Sequence, residues 1–378
     1  MDRYYNPVRT YQGYHCIKEL VHVIPELEMK NKNILLLMWN DKLKNNEDIQ
    51  YVVNQCSEYN WNFYHFAASN PEAYELFEVY QNTKDKRIEL VIAIGGGSVL
   101  DVGKSLCCMY GSEISDVDEL CTKIKNKECR KSSCNWIGVP TTAGTGSEVT
   151  CWATVWNSKA NSKLSLESQK NYAYAAFVDP QFAFSMPVQL AVSSALDAVA
   201  HATESYWAKA ANMVSGVYAC KAISVIMDHI KDLANPDKAE EAHDYMSKGS
   251  MLAGMAFSNT KTTACHSLSY PLTMHYHIPH GVAVSMLLTA VMRKNESYIK
   301  DKEKLYQAFQ IANVDELDRK MKEIFELAQI RYKLKDWNVK REDLPVLAKQ
   351  GATKGRIDNN PRDLDETDIL EILESIYE

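Results

Sequence analysis

The fold is legible first at Leu90-Val91-Ile92-Ala93-Ile94-Gly95-Gly96-Gly97-Ser98. A short apolar run enters a block of glycines, and Asp101 through Met109 behind it has helical character, so the segment reads as strand, loop and helix. Glycines in such a loop let the backbone approach a phosphate closely, and the helix start adds unpaired N–H groups and a positive dipole end. The pattern is neither G-x-G-x-x-G nor a P-loop. A glycine-rich turn without a ligand explains it as well.

The same alternation extends on both sides. Asn33-Ile34-Leu35-Leu36-Leu37-Met38-Trp39 is a continuous apolar run, as expected of a buried parallel strand. Asn62 to Phe66, Trp136 to Pro140 and Ala175 to Pro180 read as further strands, and Pro71 to Lys84 as a helix. Thr141-Thr142-Ala143-Gly144-Thr145-Gly146-Ser147 forms a second small-residue loop after a strand. Its hydroxyls and N–H groups suit a nicotinamide or ribose pocket, or simply a tight strand-to-helix connection. Alternation of this kind implies a doubly wound, Rossmann-like α/β domain with a parallel sheet.

Beyond Met186-Pro187 helical periodicity takes over: Val188 to Ala208, Val214 to Leu233, Ala239 to Ser258, Val282 to Glu296 and Asp368 to Tyr377. The predicted architecture is an α/β domain over 1–187 and an all-α domain over 188–378. A ligand is expected in the cleft between such domains.

The helical half carries its own chemistry. Asp197 and His201 are spaced i, i+4 and share one helix face. His266 and His280 lie in a segment that also holds His275 and His277. One carboxylate and three imidazoles suit a borderline divalent cation such as Fe(II) or Zn(II). A D-x-x-x-H pair is also common on helix surfaces, and histidines also gather on solvated loops.

Composition narrows the partners. The 378 residues carry a net charge of −7, which argues against nucleic acid as a partner. No stretch approaches the roughly 20 apolar residues of a membrane span. The N-terminal residues lack the features of a signal peptide. Ten cysteines without C-x-x-C pairs point to reduced thiols in a cytoplasmic protein.

Taken together, these residues resemble the iron-containing (group III) alcohol dehydrogenase family. Gly95 to Lys104 is similar to that family's G-G-G-S-x-x-D-x-x-K loop, and Pro140 to Thr150 to its second cofactor loop. Asp197 with His201, His266, and Pro279-His280-Gly281 resemble its ligand motifs. The resemblance implies metal ligation by Asp197, His201, His266 and His280. It implies contacts to the pyrophosphate from Gly96, Gly97, Ser98 and Asp101, and to the rest of the dinucleotide from Thr141, Thr142, Thr145 and Lys163. Asp41 resembles the acidic residue on the adenine ribose, which favours NAD over NADP. A homodimer is expected by the same resemblance.

One position departs from the family. Many members place a histidine four residues after the third ligand, where this chain has Tyr270. Asn259 to Thr263 and His266 to Thr273 are similar to the branch that reduces phosphonoacetaldehyde to 2-hydroxyethylphosphonate. There Lys261 and neighbouring threonine hydroxyls would recognise a compact dianion, and Tyr270 would be a hydrogen-bond donor in place of a relay histidine. A butanol- or 1,3-propanediol-type alcohol dehydrogenase is the competing reading. A dehydroquinate synthase-like lyase, which shares the architecture, is a more distant one.

Overall fold

The computed structural model describes residues 2–129, 134–160, 162–352 and 355–378. They divide into two compact units. One consists of Asn6–Thr142 and Ser147–Ala183; the other of the N-terminal residues through Tyr5, Ala143–Gly146 and Phe184–Glu378.

The first unit contains eight strands, β1 (Arg9–Gln12), β2 (Asn33–Met38), β3 (Asn60–His65), β4 (Leu90–Gly95), β5 (Asn135–Pro140), β6 (Trp152–Asn157), β7 (Ser162–Glu167) and β8 (Ala175–Val178). Its helices are α1 (Leu20–Val23), α2 (Glu47–Gln55), α3 (Ala73–Thr83), α4 (Gly97–Met109) and α5 (Val117–Lys125). Six strands form one sheet in the order β1-β8-β5-β4-β2-β3, and every pair in it is parallel. The continuous apolar runs follow from burial of both faces. In β2 and β4, Leu35, Leu37, Val91 and Ala93 face one core, and Ile34, Leu36, Ile92 and Ile94 face the other. Strands β6 and β7 form a separate antiparallel hairpin that the sequence reading did not anticipate. Helix α4 begins at Gly97, earlier than the expected Asp101, because Gly96 is its N-cap.

The second unit is helical: α6 (Val188–Trp207), α7 (Met213–His229), α8 (Ala239–Thr260), α9 (Ala264–Tyr276), α10 (His280–Asn295), α11 (Lys302–Phe309), α12 (Val314–Leu327), α13 (Leu344–Gly351) and α14 (Glu366–Ser375). It does not begin cleanly at 188. Tyr4 Oη donates to Met255 O at 3.1 Å and Tyr5 N to Asn259 Oδ1 at 2.8 Å, which ties the N-terminal residues to α8. Among the described residues one helical segment, Met213–Ala234, is long and apolar enough to cross a membrane by length and composition, where none was expected. Part of its apolar content is packing, since Ala219, Ala222, Ile223 and Ile226 lie in the core shared with α6 and α8, whereas Met213, Val214 and Val217 are exposed.

Candidate metal centre and cofactor loops

Helix α6 presents Asp197, His201 and Glu204 at i, i+4 and i+7, so the three side chains share a face, and all are buried. Helix α9 brings His266 against that face. Asp197, His201 and His266 each offer one ligand atom within 4.8 Å of the others. His266 Nε2 lies 3.4 Å from Asp197 Oδ1, and His201 Nδ1 3.8 Å from Asp197 Oδ2. The His201 and His266 rings are 4.2 Å apart, and Phe257 stacks on His201 at 4.2 Å.

Asp197 Oδ1, His201 Nδ1 and His266 Nε2 are buried without a hydrogen-bond partner. Three converging orphaned atoms of this kind are costly unless something satisfies them. A carboxylate oxygen and two imidazole nitrogens are the donors a divalent cation takes, so this donor set fits a metal.

His280, the first residue of α10, is half-buried and stands outside that tight group, with its ring 5.5 Å from His266. It reaches this position because of Gly281. A Cβ there would meet Ser193 O at 2.3 Å and Asp197 Cβ at 3.3 Å, so only glycine lets the start of α10 come this close to α6.

Electrostatics follow from burial and mutual charge. Burial alone would push the Asp197 carboxyl up, but His201, His266 and His280 together hold it below the usual carboxylate range. Burial lowers His201 to about 4 against the pull of Asp197, which keeps the ring neutral and able to donate a lone pair. His266 behaves oppositely: burial disfavours its cation, yet Glu204 and Asp197 raise its pKa.

Glu204 escaped the sequence reading. One of its oxygens contacts His266 Nδ1; the other accepts from Thr263 Oγ1 at 2.8 Å and Cys265 N at 2.6 Å. Its i+3 spacing from His201 was the available signal. Arg356 was also missed. Its guanidinium lies 5.2 Å from the Tyr270 ring and donates to Thr262 Oγ1 at 2.6 Å. Tyr270 is buried, stacks nearly parallel on His280 at 6.1 Å, and is held above the usual phenol range by burial. Lys261 is exposed at the end of α8 with φ 62°. Thr263 Oγ1 donates to Glu204 at 2.8 Å and accepts from Trp207 Nε1 at 2.8 Å, so its proton is already committed within the fold.

In the α/β unit, Gly96, Gly97 and Ser98 form the β4–α4 corner, and Asn70 N donates to Ser98 Oγ at 3.1 Å. A Cβ on Gly96 would press on the Thr142 side chain at 3.3 Å, so the two loops adjoin there. Thr141 is buried, and its N donates to Gly95 O at 3.0 Å. Asp101 accepts from Ser147 Oγ at 2.6 Å and Thr154 N at 2.8 Å. The fully buried Lys104 donates to Ser147 O at 3.0 Å and Trp152 O at 2.7 Å. Asp41 follows β2, is exposed, and pairs with Lys44 at 2.6 Å. Lys163, on β7, sits 5.3 Å over the Trp156 ring. Thr145 falls in the segment Ala143–Gly146 that belongs to the helical unit.

Known proteins with this pattern agree on its class. Residues 7–180 match the family described as iron-containing alcohol dehydrogenase, and residues 191–377 match the Fe-containing alcohol dehydrogenase family, C-terminal. The chain is 30% identical to 4-hydroxybutyrate dehydrogenase of Clostridium kluyveri, over 82% of this chain and 85% of that protein. It is 29% identical to sulfoacetaldehyde reductase of Bilophila wadsworthia, over 84% of each. The crystal structure of sulfoacetaldehyde reductase from Bifidobacterium kashiwanohense in complex with NAD+ shares the fold at a TM-score of 0.87 and 24% identity, covering 100% of this chain and 98% of that one. The chain belongs to the iron-containing alcohol dehydrogenase family and is an oxidoreductase of that NAD(P)-linked, metal-dependent class.

Proposed function

We propose that the chain reduces a short aldehyde bearing a terminal oxyanion, with phosphonoacetaldehyde going to 2-hydroxyethylphosphonate as the specific reaction. The convergence of three orphaned ligand atoms, from Asp197, His201 and His266, carries the reading. Two relatives, a 4-hydroxybutyrate dehydrogenase and a sulfoacetaldehyde reductase, are named for compounds with an acidic terminus, which supports an anionic substrate.

In this reading Asp197, His201 and His266 hold the metal, and His280 joins them from α10. The bound groups supply Lewis acidity at the substrate oxygen and a hydride from the nicotinamide C4. Glu204 fixes the His266 tautomer, so that Nε2 presents its lone pair to the cation. Tyr270, protonated at neutral pH, donates a hydrogen bond and does not act as a base. Lys261, exposed at the end of α8, is a candidate partner for the anionic terminus.

The α/β unit is the dinucleotide-binding domain and the helical unit the metal- and substrate-binding domain. Backbone N–H groups at Gly96, Gly97 and Ser98 receive the pyrophosphate. Asp101 serves by holding the loop at Ser147 and Thr154 rather than by touching phosphate. Thr141, Thr142, Thr145 and Lys163 line the remainder, and Asp41 favours NAD over NADP. The working form is a homodimer.

A panel of phosphonoacetaldehyde, sulfoacetaldehyde, 4-oxobutanoate, butanal and 3-hydroxypropanal, run with NADH and NADPH after Fe(II) or Zn(II) loading, tests the reading. Highest kcat/KM on phosphonoacetaldehyde with NADH is the expected result. Preference for butanal or 3-hydroxypropanal would replace it with a neutral alcohol or diol dehydrogenase.

A further inference from the structure

We infer that Arg356, seated on Tyr270 and Thr262, is the receptor for the acidic terminus of the substrate and the chief determinant of its class. The inference rests on the reading above that the substrate is an anionic aldehyde, and adds the residue that selects it.

Arg356 is half-buried, and among the described residues its one hydrogen-bond partner is the neutral Thr262 Oγ1, with no carboxylate at ion-pairing distance. A guanidinium has five donors in a planar fork matched to carboxylate, sulfonate or phosphonate oxygens. One donor is spent on Thr262. A cation left without a counter-ion beside a buried ring is the arrangement an incoming oxyanion completes.

The cation is close to the chemistry. Tyr270 contacts Arg356 at 5.2 Å and His280 at 6.1 Å, so one aromatic ring separates the guanidinium from a candidate ligand. The positive field of Arg356 also reaches His201, whose protonation it opposes.

The residue is held in place. Asn359 Nδ2 donates to Thr260 O at 2.8 Å and Thr262 O at 3.2 Å, and Lys209 N donates to Asn359 O at 2.9 Å. Asn360 and Asn295 exchange amide hydrogen bonds in the core. The turn carrying Arg356 is thereby fixed to the residues that follow α8. Lys261, on the same stretch, is exposed and on a flexible stem, so it is the weaker receptor.

The test is the ratio of kcat/KM for 4-oxobutanoate to that for butanal, and of kcat/KM for phosphonoacetaldehyde to that for butanal, in metal-loaded wild type, R356M, R356K and K261A. Arg356→Met is expected to lower the ratio for the preferred anion about 100-fold, Arg356→Lys about tenfold, and Lys261→Ala less than either. Ratios unchanged in both Arg356 variants, or a larger loss in K261A, would overturn the assignment. If R356M proves inactive on every aldehyde, R356K alone decides. Whichever anion shows the greater loss identifies the carboxylate or the phosphonate as its source. Wild type that prefers butanal refutes the anionic-substrate reading itself. Wild type that prefers an anion, with R356M preserving that preference, refutes only the role of Arg356.

Discussion

Glu204 and His266 meet in the core of the helical unit, carboxylate against Nδ1, and His266 Nε2 is left facing Asp197 Oδ1 at 3.4 Å. This is the carboxylate–histidine arrangement that orients a metal-ligating imidazole and raises its basicity. Glu204→Gln keeps the shape of the side chain and removes the charge. It is expected to weaken Zn(II) binding about 10- to 100-fold, read by titrating the apo protein against a chromophoric chelator. Equal affinity in the variant would make Glu204 a packing residue.

Gly281 sets how near α10 comes to α6. An alanine Cβ would stand 2.3 Å from Ser193 O, a backbone atom that cannot swing aside. Gly281→Ala should therefore move His280 outward and cost about 1–3 kcal/mol of stability. Thermal unfolding and metal stoichiometry report the two effects separately. A variant with wild-type stability and metal content would show that α10 has slack.

Glu148 supplies a pH dependence that involves no metal. Burial raises its carboxyl to about 7, with Lys104 pulling the other way. Between the ordinary value near 4.5 and about 7, the folded chain binds a proton that the unfolded chain has released, so stability falls as pH rises through that window. The loss is about 3 kcal/mol by pH 8. Glu148→Gln does not titrate, so its melting temperature relative to wild type should be higher at pH 8 than at pH 5. The same difference at both pH values would mean the carboxyl stays ionised at low cost.

Much of this was legible in the sequence. The run Leu90 to Ile94 entering glycines identified the strand and loop, because both faces of the central sheet are buried and leave no alternation to confuse the pattern. Asp197 and His201 were visible as an i, i+4 pair, and Glu204 was visible by the same rule but was not sought. The hairpin β6–β7 was hidden because it lies outside the main sheet, pairing as a ribbon with a single bridge from Trp156 to Glu72. Helix α9 was obscured by Pro271, which reads as a breaker yet lies inside the helix. Arg356 had no local signal at all. It meets Thr262 across 94 residues of chain, through a turn fixed by amide hydrogen bonds that only the folded structure brings together.

Asp197, His201 and His266 are the proposed holders of a catalytic metal. Metal analysis of wild type, Asp197→Ala and His266→Ala, reconstituted with Fe(II) under anaerobic conditions and desalted, tests it most directly. The expected result is about one ion per chain in wild type. In both variants near-complete loss of the ion should coincide with loss of NADH-dependent aldehyde reduction, while each remains folded by circular dichroism. Folded variants that keep the full ion content and the wild-type rate would contradict the claim.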